Sequence, residues 1–288
     1  MEYYSFNRYL RNRFGCKVYK ISINGGFTCP NRDGTCGTRG CIFCSAGGSG
    51  DFAEDPRLSV TQQIEKGKLR VQNKIKSGKY IAYFQAFTNT YAPMEVLRKK
   101  FTEAIEHPDI VMLSVATRPD CLPDDVIDLL AQLNTIKPVS VELGLQTIHQ
   151  KSADYIRRGY NLACFDDAVC RLKEAGLEVV CHIILGLPGE SKSDMLQSVD
   201  YACKSGINGI KLQLLHVLKH TDLEKEYRDG NFKTLTFEEY LDIIKSCVKI
   251  IPKEIVIHRL TGDGAKKDLI APLWSADKKK VLNAISKL

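Results

Sequence analysis

A short β-branched or apolar run followed by a segment of helical period recurs six times before residue 216, and this alternation constrains the fold more than any other feature. The strand candidates are 17–24, 79–86, 110–116, 139–145, 178–185 and 209–215. The helical segments between and after them are 57–77, 93–106, 122–133, 150–157, 163–175 and 192–204. Strands linked by helices pair in parallel through right-handed crossovers, which makes the chain an α/β protein. Asp120, Ser191 and Ser193 are the expected caps. Prolines at 93, 123 and 188 fall near helix starts or turns, and Gly176 and Gly206 end helices. Periodicity alone leaves a doubly wound sheet and a barrel both open. No dinucleotide-binding glycine fingerprint follows the first strand, and six units are too few for a closed eight-stranded barrel. Past residue 220 the pattern changes to a helix at 236–249, a short strand at 254–257 and a final helix near 277–286.

With 288 residues, 44% of them hydrophobic and 26% charged, the chain can build one large core. No apolar run approaches the roughly 20 residues of a membrane span. The opening MEYYSFNRYLRNRFG lacks the apolar stretch and cleavage site of a secretory signal. A cytoplasmic protein without membrane association is expected. The formal charge of +7 is unevenly placed. Arg8, Arg11, Arg13, Lys17 and Lys20 form one acid-free stretch; Lys66, Lys68, Arg70, Lys74, Lys76 and Lys79 form another; Lys266, Lys267, Lys278, Lys279, Lys280 and Lys287 enrich the tail. Such patches suit a phosphate backbone, although many basic surfaces bind nothing in particular. Tyr3, Tyr4, Phe6, Tyr9 and Phe14 interleave with the first patch. They either stack on bases or belong to a helix packed over the bottom of the sheet, and packing is the favoured reading.

Four of the eleven cysteines, Cys29, Cys36, Cys41 and Cys44, crowd into a glycine-rich loop directly after the first strand. Seven others are scattered through apparent core segments as small hydrophobes. Thiolates on a short turn converge on a metal, and two readings compete. Structural zinc would use four thiolates in closed tetrahedral geometry. A [4Fe–4S] cluster held by three cysteines would leave one iron open. The loop's position at the C-terminal end of strand one, where α/β folds keep their chemistry, favours the cluster.

The loop CPNRDG…GCIFC resembles the radical SAM (S-adenosylmethionine) superfamily, in the YtqA/YhcC-type subgroup related to the catalytic subunit of Elongator. The resemblance implies a partial (β/α)6 TIM-like barrel over 17–220, an N-terminal extension over 1–16, and a short C-terminal α/β extension over 221–288 that closes the barrel and contacts RNA. Cys29, Cys41 and Cys44 match the three metal ligands, with Cys36 matching none, and Phe43 matches the ring beside the cofactor adenine. The segment FQAFTNTYAP, with Gln85 and Asn89, and Thr117 of ATRPD resemble SAM-binding elements. So do Glu142 and Gln146 of ELGLQT, Arg158 of IRRGY, and Gly186 and Gly189 of ILGLPGE. By resemblance Glu142 would hold the ribose hydroxyls, Arg158 the SAM carboxylate, and the glycines the adenine. Tyr160 stands where relatives carry His, which puts a role for that side chain in doubt. A buried acid paired with Arg or backbone amides competes as a reading of Glu142, and a surface arginine as a reading of Arg158.

His182, Gln213, His216 and Lys219 lie on or just after strands five and six and are the candidates for substrate contact, His216 and Lys219 together receiving an anionic group. His258, Arg259 and Asp263 are expected to close the barrel. The resemblance implies a [4Fe–4S] cluster, SAM, an electron donor such as flavodoxin or ferredoxin, and a tRNA substrate. The reaction it points to converts 5-carboxymethylaminomethyl-(2-thio)uridine at the wobble position to the 5-aminomethyl form, which a downstream methyltransferase would then use. A radical SAM enzyme acting on a small metabolite or protein side chain is the alternative within the class. A zinc-bearing RNA-binding protein is the alternative outside it.

Overall fold

The computed structural model describes residues 2–48, 50, 53–74, 78–262, 264 and 266–288, so Lys76 and Asp263, named above, lie outside the described residues. The six expected units are present: β1 (Tyr19–Ile23) and α2 (Val60–Val71), β2 (Tyr80–Phe84) and α3 (Met94–Glu106), β3 (Ile110–Thr117) and α4 (Asp124–Asn134). They continue with β4 (Val139–Gln146), α5 (Gln150–Tyr155), α6 (Leu162–Glu174), β5 (Glu178–Leu185), α7 (Lys192–Lys204) and β6 (Gly209–Leu214). A helix α1 (Phe6–Phe14) precedes β1, and β7 (Val217–Leu218), α8 (Asp222–Arg228), α9 (Phe237–Ile250), β8 (Val256–Arg259), β9 (Leu269–Ala271) and α10 (Lys278–Ser286) follow β6.

The strands pair in parallel in the order β1-β2-β3-β4-β5-β6-β8, so the expected six become seven. The sheet curls into a half-barrel, and one ion-paired group shows the curl directly. Lys20 on β1 and Lys211 on β6 both reach Glu142 on β4. In a flat sheet β1 and β4 would stand about 14 Å apart, given a spacing of ~4.8 Å per strand.

Alternation along the strands separates two environments. Val139, Val141, Leu143 and Leu145 of β4 pack outward, with Val179, Cys181, Ile183 and Leu185 of β5, against the helices. Leu97, Phe101 and Ile105 of α3 supply one helical stripe of that core, spaced one turn apart. The intervening residues, such as Glu142, Gly144, His182, Lys211 and Gln213, face the inside of the curl.

Side-chain caps at Ser59, Ser191 and Thr236 start α2, α7 and α9, each within a capping box. Ser193 lies inside α7 rather than at its cap. Asp120 caps nothing either: its carboxylate pairs with Arg118 at 2.6 Å, and α4 begins after Pro123.

Helix α1 closes the N-terminal end of the half-barrel. Leu10 packs on Val18, Ile81 and Met112. The Tyr9 hydroxyl donates to Glu178 at the start of β5 (2.8 Å), and Ile257 N–H donates to the Tyr4 carbonyl (2.8 Å). At the other end β7 and β9 form a small antiparallel ribbon that the sequence pattern did not announce.

Candidate active site

The curl encloses a cavity of about 1060 Å³. At one end lie Cys29, Cys41 and Cys44, with Phe43 between the last two. The loop that carries them is pinned at several points. Arg32 and Asp33 N–H groups donate to the Cys29 carbonyl, Cys44 N–H donates to Cys41 (3.0 Å), and Ile42 N–H donates to Ile156 (3.3 Å). Asn31 Nδ2 donates to the Cys41 sulfur (3.4 Å) and to the Arg157 carbonyl (2.7 Å), which ties the loop to the segment after α5. A side chain at Gly159 would place its Cβ 2.8 Å from Asn31 Oδ1, and φ there is +84°, so only glycine fits.

Burial, and the nearby Cys44 and Cys29 sulfurs, push the Cys41 thiol up to about 11. A bound cation would favour the thiolate in that position. Cys36 is exposed and stands apart from the cavity lining.

Beside the thiols, Arg158 is almost wholly buried. Its Nε donates to the Tyr160 carbonyl (3.0 Å) and its Nη1 to Leu145 (3.0 Å) and Thr147 (2.6 Å), while the buried Nη2 has no protein partner. Gln146 ends β4 at a register irregularity with φ of +69°, and its buried Oε1 is also unpartnered. A non-glycine residue held there is strained, and strain of this kind clusters at ligand sites. Tyr160 has a defined place after all. Its hydroxyl donates to the Gly144 carbonyl, and the Arg118 and Arg158 guanidinium carbons lie 5.0 and 4.9 Å from its ring centroid. Gln85 and Thr117 line the same cavity.

Deeper in, the carboxylate of Glu142 accepts from Lys20 (2.5 Å) and Ser114 (2.8 Å) on one oxygen, and from His182 (2.7 Å) and Lys211 on the other. A carboxylate offers about four acceptor sites. Protein donors occupy them all, and Glu142 anchors a buried charge network. The positive charges of Lys20 and Lys211, with the His182 bond, outweigh desolvation and hold its carboxyl well below the ordinary range. Burial, assisted by Lys211, pushes His182 down to about 4. Gln213 Nε2 donates to His182 Nδ1 (3.2 Å), which leaves the Nε2 hydrogen to point at Glu142 and fixes a neutral tautomer.

Among the described residues that line the cavity, Asn89, Gly186, Gly189 and Lys219 do not appear. Asn89 Nδ2 is turned to the Ala116 carbonyl (2.8 Å). Gly186 packs beneath Leu235, where an added Cβ would meet the side chain at 3.0 Å, and Gly189 has open space around it. Lys219 is exposed and donates to the Lys267 carbonyl (2.9 Å), so it forms no anion site with His216. His216 does line the cavity, packed against the backbone of Gly262 and Gly264, where a Cβ would come within 2.8 and 2.9 Å of its ring. His258 and Arg259 of β8 complete the wall.

Sequence reasoning missed Lys20, Lys211 and Tyr83. The signal was a lysine at an inward parity inside each of two apolar strands, YKISI and GIKLQL. Among the described residues, one group of Glu, Asp and His brings its ligand atoms within 4.8 Å of one another, at Glu65, His107 and Asp109. It lies outside the cavity, and Lys68 Nζ already bridges Glu65 (2.8 Å) and Asp109 (2.5 Å), so it is an ion-pair network.

A family model described as the Radical SAM superfamily matches residues 32–202, and one described as the Radical_SAM C-terminal domain matches 207–288. The chain belongs to the radical SAM superfamily. This radical SAM enzyme is 47% identical to protein YtqA of Bacillus subtilis over 99% of its own length and 88% of that protein. It is 29% identical to the tRNA uridine(34) acetyltransferase of Methanocaldococcus jannaschii, over 57% of this chain and 30% of that protein. In fold it is similar to the archaeal Methanocaldococcus infernus Elp3 with an N-terminal deletion, at a TM-score of 0.65 and 18% identity, covering 91% of this chain and 63% of that one.

A radical SAM domain implies an iron–sulfur cluster and SAM, and the cavity suits both. Four zinc-bound thiolates at ~2.3 Å from the metal would lie about 3.8 Å apart. Among the described residues no three cysteine sulfurs lie within 4.8 Å of one another, and Cys36 is exposed and absent from the cavity lining. The orphaned Arg158 Nη2 and Gln146 Oε1 are the kind of buried donor and acceptor that a polar cofactor satisfies. Among the described residues no helix is long and apolar enough to cross a membrane.

Proposed function

We propose that this radical SAM enzyme acts on tRNA, converting 5-carboxymethylaminomethyl-(2-thio)uridine at the wobble position to its 5-aminomethyl form. The observation that carries the reading is the kinship with a tRNA uridine(34) acetyltransferase, joined to a cavity large enough for an extruded base. The basic stretches around Arg8–Lys20 and Lys66–Lys79 supply the charge that a phosphate backbone needs.

Cys29, Cys41 and Cys44 would hold one [4Fe–4S] cluster. When bound, the cluster and SAM would supply a 5'-deoxyadenosyl radical able to take a hydrogen atom from the carboxymethyl carbon beside the substrate's amine; loss of the remaining electron to the flavodoxin- or ferredoxin-type redox partner and hydrolysis of the resulting imine by water would release the two-carbon group as glyoxylate and leave the primary amine. Arg158 Nη2 receives the SAM carboxylate as a charge-assisted hydrogen bond, and Gln146 Oε1 accepts from a cofactor donor. Phe43 packs beside the adenine, and Gln85 and Thr117 face the amino group. Neutral His182, locked between Gln213 and Glu142, presents a fixed face to the substrate, and His216 lines the same cavity. Helix α1 keeps water from entering through the bottom. A flavodoxin or ferredoxin supplies the electron, and the primary amine produced is a substrate for a methyltransferase.

The test is nucleoside mass spectrometry. Anaerobically reconstituted enzyme, SAM and a reductant, given tRNA that carries the carboxymethylaminomethyl nucleoside, are expected to yield the aminomethyl nucleoside together with 5'-deoxyadenosine. SAM cleavage with an unchanged nucleoside would reject this substrate.

A further inference from the structure

The loop that carries the thiols turns on one buried side chain. Asn31 is 4% exposed and stands in CPNRDG, between the first thiol and the second of the three. Its carbonyl accepts from Gly40 N–H (2.7 Å), which closes the intervening residues into a loop and sets Cys41 beside it. Its side chain reaches across to the segment after α5. Nδ2 lies 2.7 Å from the Arg157 carbonyl, 3.4 Å from the Arg158 carbonyl and 3.4 Å from Cys41 Sγ. Those two carbonyls decide which way the amide faces, because an amide oxygen placed there would meet them as a third acceptor. The nitrogen therefore stands toward the sulfur. One of its hydrogens is committed to Arg157, and the other is left for Cys41 and the Arg158 carbonyl. The Cys41 thiol in turn donates to the Arg157 carbonyl (3.8 Å). A ligated sulfur has no proton to give, so that contact lapses on metal binding and the Asn31 hydrogen bond remains.

Several features hold the amide in this pose. Arg157, whose carbonyl anchors it, has φ of +58°, a conformation uncommon in a residue with a long side chain. The Arg157 guanidinium is tied to Asp222 at the start of α8 (2.5 Å), so the C-terminal segment braces the turn. Gly159 leaves the space that Oδ1 occupies. Backbone strain kept in place by its surroundings is a pointer to function. The geometry also explains the residue type. Serine is too short to reach the sulfur, and glutamine is too long for the space beside Gly159. Aspartate would set a carboxylate oxygen against two carbonyls and a thiolate.

We infer that Asn31 is a positioning residue for electron entry. Its amide hydrogen bond to the Cys41 sulfur holds the reduction potential of the bound cluster within reach of a flavodoxin- or ferredoxin-type donor. The inference rests on Cys29, Cys41 and Cys44 as the ligands and is independent of the RNA substrate. Uptake of one electron adds negative charge that the ligand sulfurs share. A hydrogen aimed at one of them stabilises the reduced state more than the oxidised one. Burial strengthens the effect, because little water competes for the amide. The electron passes from the donor to the irons, and no proton moves and no bond breaks at Asn31.

The experiment is a redox titration, followed by electron paramagnetic resonance, of anaerobically reconstituted enzyme without SAM. Asn31→Ala and Asn31→Ser are titrated beside it, each normalised to iron and sulfide per chain. Both variants are expected to load and to be harder to reduce by a factor of about ten, a midpoint lower by ~59 mV for one electron. Asparagine labelled with heavy nitrogen gives a second reading. In pulsed resonance spectra the reduced spin of the unaltered enzyme should couple to a labelled nucleus, and Asn31→Ala should abolish that coupling. A role confined to loop structure would lower iron loading and leave the midpoint of the loaded molecules in place. Loaded variants with an unmoved midpoint, or no coupling in the unaltered enzyme, would overturn the inference while the ligand assignment stands. If neither variant loads, the coupling decides: its presence upholds the hydrogen bond and its absence removes it. An unaltered enzyme that takes up no iron would bring down the ligand assignment and this inference together.

Discussion

The two faces of one sheet differ more than any two domains of this molecule. Outward positions on β4 and β5 are aliphatic or thiol without exception, from Val139 through Leu145 and from Val179 through Leu185 at alternate residues, and they are sealed by helices. Inward positions on the same strands carry Glu142, Gly144, His182 and, at the tip, Gln146. The outer face is held by area removed from water, which tolerates substitution of one aliphatic residue for another. The inner face is held by a few hydrogen bonds and ion pairs, each with one partner that fits. Stability and chemistry are thereby assigned to opposite parities of the same strand, one residue apart.

Three substitutions would break or sharpen that contrast. Cys41→Ser on the inner side should have the largest effect, removing the iron, the sulfide and the broad absorbance near ~400 nm while leaving far-UV circular dichroism intact. Cys36→Ser, outside the cavity, should change neither; equal loss in both variants would mean that the fourth thiol is a ligand. On the outer side Phe101→Ala opens a void beneath Phe84, whose ring lies 5.0 Å away edge-on, and should cost about 3–5 kcal/mol in urea unfolding. Iron per folded molecule should stay at its unaltered value in that variant. A cluster lost in step with stability would show that the two faces are not separable.

The smallest effect concerns pH. His182 titrates near 6.5 when unfolded and near 4 in the fold, so between those values the unfolded chain binds a proton that the native protein refuses. Stability is therefore full above pH 6.5 and falls as the pH drops through 4, by at most about 3 kcal/mol. Glu142, whose folded carboxyl is depressed, adds loss of the same sign at the acid end. His182→Gln should flatten the fall between pH 6.5 and 4 in thermal melts. An unchanged slope would place the histidine's proton elsewhere.

Much of the outer face was legible in the sequence because a run such as VSVELGL announces both its strand and its buried parity. The first six strands were all found on that signal. The ribbon of β7 and β9 was not, since strands of two and three residues carry no period. The strand at 254–257 was found about two residues early, and its pairing beside β6 was not foreseen.

On the inner face, side-chain types were visible but their partners were not. Glu142 stands 122 residues from Lys20 and 69 from Lys211, and only the curl of the sheet joins them. Lys219 misled for the opposite reason. It was placed just after the strand beside His216, but β6 ends at Leu214 and Lys219 donates instead to the Lys267 carbonyl. The cysteine loop was the most readable part of the site, because its ligand types and spacing sit within one segment.

The bond from Ile257 to the Tyr4 carbonyl has a consequence for how the protein is made. Tyr4 and Phe6 cannot complete their contacts under the barrel until β8 has left the ribosome, long after the cysteine loop has emerged. Contacts of such long range are slow to close. During synthesis, therefore, the thiols are exposed on a half-built sheet whose floor is still open. The vessel is lined before it has a bottom, and its last strand brings Arg259, His258 and the seat for Phe6 together in a single closing event.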